Sequence, residues 1–145
     1  MTVYSFIPVS PKTSQDIPPL GTSTKSVRLF ATDLLREQRA DGGWGQTDLM
    51  KSDPYATATA LVGLVKTRQL DEDDPQFSKG ISFLLKQQTK QGSWHVKSRS
   101  KPFQKYFETG FPHEKDQFIS TTATAWATLA LLLALPPQDM FNEAP

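Results

Sequence analysis

Two stretches of this 145-residue chain spell one pattern. Gln38-Arg39-Ala40-Asp41-Gly42-Gly43-Trp44 and Gln88-Thr89-Lys90-Gln91-Gly92-Ser93-Trp94 both read Gln-x3-Gly-x-Trp, fifty residues apart. Each closes an amphipathic run containing a Leu-Leu pair, Leu34-Leu35 and Leu84-Leu85, and the later segments 56–61 and 121–126 also resemble each other. Recurrence at this period means a repeat architecture, in which one unit cannot bury its own apolar face.

The residues between the two copies resolve into helices. Val27, Phe30, Leu34 and Leu35 share one helical face in a run that opens near Ser26 and stops at Gly42-Gly43. Asp53-Pro54 is a helix start, an N-cap followed by proline at the first position, and that helix continues through Leu61, Val62, Leu64 and Val65 to about Thr67. A second Asp-Pro, Asp74-Pro75, opens a third helix carrying Phe77, Ile81, Leu84, Leu85 and Gln88. The fourth covers residues 119–135 and ends at Pro136-Pro137. It is apolar nearly all round, which predicts the most buried element. The fold class is therefore all-α. The predicted organisation is a Pro-rich arm at 1–25, two helical repeats at 26–70 and 74–136, and a tail at 137–145.

Composition removes several functions. With no cysteine, neither a disulfide framework nor a thiolate metal site exists, and a net charge of +1 gives no general attraction to nucleic acid. The longest apolar stretch, 123–135, falls short of the ~20 residues a membrane span needs. Nothing in the chain reads as a signal peptide, so the default compartment is the cytoplasm, with peripheral association at a membrane left open. No cofactor is indicated.

The copies differ in one place. Counted to Thr57 and Thr122, the second unit carries about fifteen additional residues between its Trp and its second helix. This insertion, 95–115, holds both histidines, five Lys or Arg, Tyr106, Phe103, Phe107 and Phe111. Loops of that length in a compact repeat are functional or disordered, and the aromatic content favours function.

The stretch Lys79-Gly80-Ile81-Ser82-Phe83-Leu84-Leu85-Lys86-Gln87-Gln88-Thr89-Lys90-Gln91-Gly92-Ser93-Trp94 resembles the full QW motif of the prenyltransferase and squalene-oxidase repeat. Residues 34–44 match its second half, and the resemblance covers about 26–135. The chain is similar to the C-terminal part of bacterial squalene–hopene-cyclase-like proteins. The resemblance implies an α/α toroid, of which two helix pairs form a partial or open ring. It also implies that Gln38, Gly42, Trp44, Gln88, Gly92 and Trp94 fasten outer helices to inner ones. The physics agrees: a Gln amide satisfies backbone groups at helix ends, an indole shields them, and Gly permits the turn.

Cyclases of this kind use a D-x-D-D-T-A acid to protonate an isoprenoid double bond. Asp71-Glu72-Asp73-Asp74 has the first part, but it runs into Pro75 ahead of an outer helix and reads as a solvated linker ending in a cap. The inner-helix starts instead carry lone acids, Asp53 and Asp116, each either an N-cap or a weaker acid or base. Asp116 is the better candidate because His113 and the basic insertion lie beside it. The zinc of protein prenyltransferases, held by Asp, Cys and His, cannot be built from His95 and His113 alone. On a toroid, Tyr55, Phe118 and Trp126 would line an apolar cavity. Arg99 and Lys101, with Lys97 and Lys105, either bind an anion such as a diphosphate or form a solvated loop.

Three functional readings follow. The chain is part of a terpene-cyclase-type toroid binding an isoprenoid or other apolar ligand, or a non-catalytic binding or scaffold module on the same fold. The third is an open fragment that completes its core with the missing repeats of a longer chain or by self-association.

Overall fold

A computed structural model describes residues 24–100 and 105–135. The expected arm up to residue 23, Lys101 and Phe103 of the insertion, and the 137–145 tail lie outside the described residues. The described chain is all-α: α1 (Thr24–Arg36), α2 (Pro54–Lys66), α3 (Pro75–Gln87), a 3-10 turn (Glu114–Asp116) and α4 (Gln117–Leu133). No described helix is long and apolar enough to cross a membrane.

Each helix start has a local cause. Asp53 caps α2 by accepting from the Ala56 amide at 3.0 Å, with Pro54 at the first helical position. Asp74 occupies the same place before α3, but its carboxylate turns back to the Asp71 amide at 2.9 Å and makes no capping bond. The acidic linker is thus a largely exposed, self-bonded turn, and the side-chain cap expected at its end is absent because Asp74 is engaged by Asp71.

The two Gln-x3-Gly-x-Trp segments fold into the same clasp. The indole N–H of Trp44 donates to the Leu34 carbonyl and that of Trp94 to the Leu84 carbonyl, both at 2.7 Å. Gln38 and Gln88 donate through Nε2 to the carbonyls of Gly42 and Gly92 at 3.0 and 3.1 Å. Backbone bonds Arg39 to Gly43 and Thr89 to Ser93 close the turns, with Gly42 at φ 87° and Gly92 at φ 83°. Both indoles are 2% exposed. Truncating a core Trp of this kind costs about 3–5 kcal/mol. The Gln38 amide also reaches the Gln76 carbonyl at 2.8 Å, and Gln76 returns a bond to the Leu35 carbonyl at 2.9 Å. This exchange ties the end of α1 to the start of α3, linking the two units.

A third shared bond sets the register of the inner helices. The Trp44 amide donates to Thr57 Oγ1 and the Trp94 amide to Thr124 Oγ1, each at 3.0 Å. Thr57 therefore corresponds to Thr124 and not to Thr122, so the tryptophan-to-threonine separation is 30 residues in place of 13. The insertion is longer than the sequence comparison indicates. In this register α2 and α4 end together, while α4 starts one turn earlier, so Ser120 stands where Asp53 stands in α2. Asp53 and Asp116 are not equivalent helix starts.

Inner helices α2 and α4 pack side by side, and α3 lies against both. The core runs through Trp44, Leu61, Leu64, Phe77, Phe83, Leu84 and Trp94. The most buried helix is α2, contrary to the expectation for α4. Buried positions on α4 are confined to Gln117, Ser120, Ala123, Ala127 and Ala130, while Leu129, Leu132 and Phe118 are exposed. The reason is position: α2 packs against both α3 and α4, whereas α4 packs mainly against α2.

The two clasp glycines differ in surroundings, which yields a measurable contrast. A Cβ at Gly42 would lie 2.5 Å from the Lys79 carbonyl oxygen, whereas one at Gly92 would meet nothing within 4 Å. Gly92→Ala is expected to lose about 1–2 kcal/mol, the left-handed penalty alone. Gly42→Ala should lose at least twice that, because α3 must also shift. Urea unfolding of the two variants checks this, and equal losses would contradict the packing described.

Candidate functional site

The additional first turn of α4 is where the insertion is held. Asp116, Gln117 and Ser120 lie on one side of that turn and are 7%, 0% and 0% exposed. Burying three polar side chains demands partners, and the insertion supplies all of them. Asp116 accepts from His95 Nε2 at 2.9 Å through Oδ2 and from the Ser98 amide at 2.8 Å through Oδ1. Gln117 accepts the Thr109 amide at 2.7 Å and the Thr109 hydroxyl, and donates to the Tyr106 hydroxyl at 3.1 Å and the Phe107 carbonyl at 3.0 Å. Ser120 Oγ accepts the Val96 amide at 3.1 Å and donates to the Val96 carbonyl at 3.3 Å. Among the described residues no buried side-chain N or O lacks a partner.

Both histidines join this cluster. Their rings stack with centroids 4.7 Å apart and planes inclined by 28°. His113 Nε2 is 2.9 Å from Ser93 Oγ, which also shares a bond with Thr89 Oγ1. Phe111 meets the His113 ring edge-on at 6.4 Å. Burial would raise the Asp116 carboxyl, but the His95 hydrogen bond, the Ser98 amide and the charges of His95 and Lys115 outweigh it and hold it below the ordinary value. His113 is pushed below the usual imidazole range by burial first and by the His95 charge second, with Asp116 partly opposing. Further out, the Tyr106 hydroxyl donates to Glu108, which raises the phenol and lowers the carboxylate.

This geometry decides what Asp116 can do. A carboxyl held low is ionised at neutral pH, so it stores no proton for an acid step. It orients His95, which is half-exposed and is the group able to carry a proton. An imidazolium is far too weak an acid to protonate an isolated double bond, so the pair suits proton acceptance or the holding of a negative group.

The other expected site residues are dispersed. Asp53 is committed to its cap and to Gln46 Nε2 at 2.9 Å, in the first helix pair. Tyr55 is half-buried on the first turn of α2, Trp126 half-buried midway along α4, and Phe118 is 52% exposed. Arg99 is exposed, and Lys101 lies outside the described residues. No group of three or more His, Asp or Glu able to hold a metal occurs among the described residues. Sequence reasoning singled out His113 and Asp116 but considered His95 only for a zinc site it cannot complete, and passed over Ser93, Gln117 and Ser120. The signal was present: Asp116, Gln117 and Ser120 are polar residues spaced for one turn at the head of an apolar helix.

Two clasped helix pairs with a polar insertion seated on an inner helix make up the described all-α fold. In sequence, the chain is 34% identical over 105 residues to the lanosterol synthase erg7A of Aspergillus fumigatus, a match covering 72% of this chain and 13% of that protein. The chain is thus a distant, partial relative of a terpene cyclase, and the all-helical fold fits the toroid such a relationship implies. No family model and no solved structure matches.

Replacing Asp116 removes two charge-assisted bonds at a buried site. Asp116→Asn is expected to lower stability by about 1–3 kcal/mol at pH 7. Because the folded carboxyl is depressed, its contribution is present above the ordinary carboxylate value of about 3.9 and lost as pH falls through the lower folded value. The difference between wild type and variant should therefore shrink below pH 4 in denaturant titrations, and a constant difference would sink the assignment.

Proposed function

We propose that the chain supplies two neighbouring helix-pair units of a squalene-cyclase-type α/α toroid, whose inner helices face an isoprenoid or another apolar ligand. The observation that carries this reading is the duplicated clasp, matched bond for bond between the two units. The Thr57–Thr124 register supports it further. Tyr55, Thr59 and Lys66 on α2 correspond to Thr122, Trp126 and Leu133 on α4, and none of the six is buried. A stripe is thus open along both inner helices, broken by the buried Val62 on α2 and Ala130 on α4, and Phe118 extends it by a turn on α4. A ring lining requires such a stripe.

A specific observation favours ligand binding without acid catalysis: both candidate acids are committed, Asp53 to a helix cap and Asp116 to His95 and Ser98. The same register indicates how α4 would continue the assembly. Thr121, Ala125 and Thr128 are exposed, while their counterparts Pro54, Ala58 and Leu61 are buried, and Leu61 presses on Gly80 of α3. A further helical unit, or a second copy of this chain, would cover that flank.

The test is squalene binding by the purified protein, followed by tryptophan fluorescence and by mass spectrometry of solvent extracts. Trp126→Ala is expected to weaken binding at least tenfold, and no cyclised product should form. Product that disappears in Asp53→Asn or Asp116→Asn variants that remain folded under the assay conditions would replace the binding reading with a catalytic one. Absence of both bound isoprenoid and squalene response would overturn the proposal.

A further inference from the structure

His95 opens the insertion and His113 stands near its end, yet the two rings stack at 4.7 Å. They therefore close the base of an 18-residue excursion whose body rests on the first turn of α4. We propose that the stacked imidazoles are an acid-sensitive clasp: closed at neutral pH, and released at the 112–114 end when both rings carry a proton.

The two rings have unequal partners. His95 faces the Asp116 carboxylate, so a proton on it completes an ion pair. His113 faces the hydroxyl of Ser93, which bears no charge. A second proton therefore places like charges on two rings in van der Waals contact, with one carboxylate already engaged. The charged groups bearing on the pair are Asp116 from the head of α4, Lys115 beside it, which acts on Asp116, and Glu114 next to His113 in the chain. The clasp turn contributes only the uncharged Ser93 and Thr89. The downward displacement of His113 by burial and by His95 agrees with this ordering.

The backbone tells which part would move. Gly110, His113 and Glu114 have φ of 82°, 86° and 46°, and for His and Glu this left-handed region is disfavoured. A segment held in such a conformation relaxes once its anchor is withdrawn. The rest of the insertion has anchors that do not depend on the imidazoles: Gln117 holds Phe107 and Thr109, and Ser120 holds Val96. Gly110 and Phe111 are likewise tied back to Glu108 and Thr109, so opening is centred on residues 112–114 and withdraws His113 from Ser93. Since the folded form favours neutral His113, closure is complete above about pH 6.5 and is lost as pH falls through the lower value of the folded ring.

Imidazole resonances of the full chain, followed by NMR from pH 8 to 4.5, test the idea. His113 should titrate below the ordinary imidazole value, because burial and the neighbouring His95 ring disfavour its charged form. Exchange of the Asp116 amide, which donates to the His113 carbonyl at 2.8 Å, corrected for its intrinsic pH dependence, should rise at least tenfold between pH 7.5 and pH 5, with the Thr109 amide, held by Gln117, unchanged. His113→Phe keeps a ring on the stack without a charge and should abolish that rise. A His113 ring that titrates at or above the ordinary imidazole value, or equal protection at both pH values, would overturn the proposal. If the variant fails to fold, the wild-type titration decides alone.

Discussion

The indole N–H groups of Trp44 and Trp94 each reach back to a carbonyl ten residues earlier, and much of the structure is arranged around those two bonds. The carbonyl belongs to the last turns of an outer helix, where backbone acceptors have no intrahelical donor or share one. The indole satisfies it while filling the space between outer and inner helices with apolar surface. The amide of the same tryptophan then takes the inner-helix threonine, so one residue fixes the end of one helix and the register of the next. Remove the indole and neither helix pair has a defined angle. The Gln and Gly of the turn are subsidiary, since they close the loop that brings Trp to its place.

The copies have diverged where the clasp leaves freedom. At Gly43 a side chain is excluded, because a Cβ would approach Ser52 Cβ to 2.7 Å and the Phe83 ring to 3.0 Å. Its counterpart Ser93 has space for a hydroxyl, and that hydroxyl holds Thr89 and His113. The second unit can therefore anchor an insertion at a point where the first cannot even carry a methyl group. The additional turn of α4 completes the arrangement by offering three buried polar side chains to whatever lies above it.

Much of the fold was legible because its signals are local. The Asp53-Pro54 and Asp74-Pro75 starts, the glycines of the turns and the spacing of Leu34, Leu35, Leu84 and Leu85 all act within a few residues. The inner-helix register was not legible, since Thr121, Thr122 and Thr124 offer competing matches to Thr57 and only the Trp94 amide chooses among them. The burial of α4 was misjudged because hydrophobic content says what a face can bury, not which neighbours it has. At the site, His95 looked isolated because its carboxylate partner is 21 residues away. Asp116 looked like a helix cap, and its carboxylate in fact points to the insertion and makes no capping bond.

The meeting of His95 and His113 has a consequence for the length of what lies between them. Once the ends of a loop are pinned together, the entropy of closing it grows only logarithmically, by about 0.6 kcal/mol for each doubling of length. Next to the described Ser100, which bonds only back to the neighbouring Ser98, added length is therefore expected to cost little. The helical frame below would register such a change only through its fixed points on α4. The insertion is therefore the part of the molecule most open to variation in size, and α4 the part that must stay constant for such variation to be tolerated.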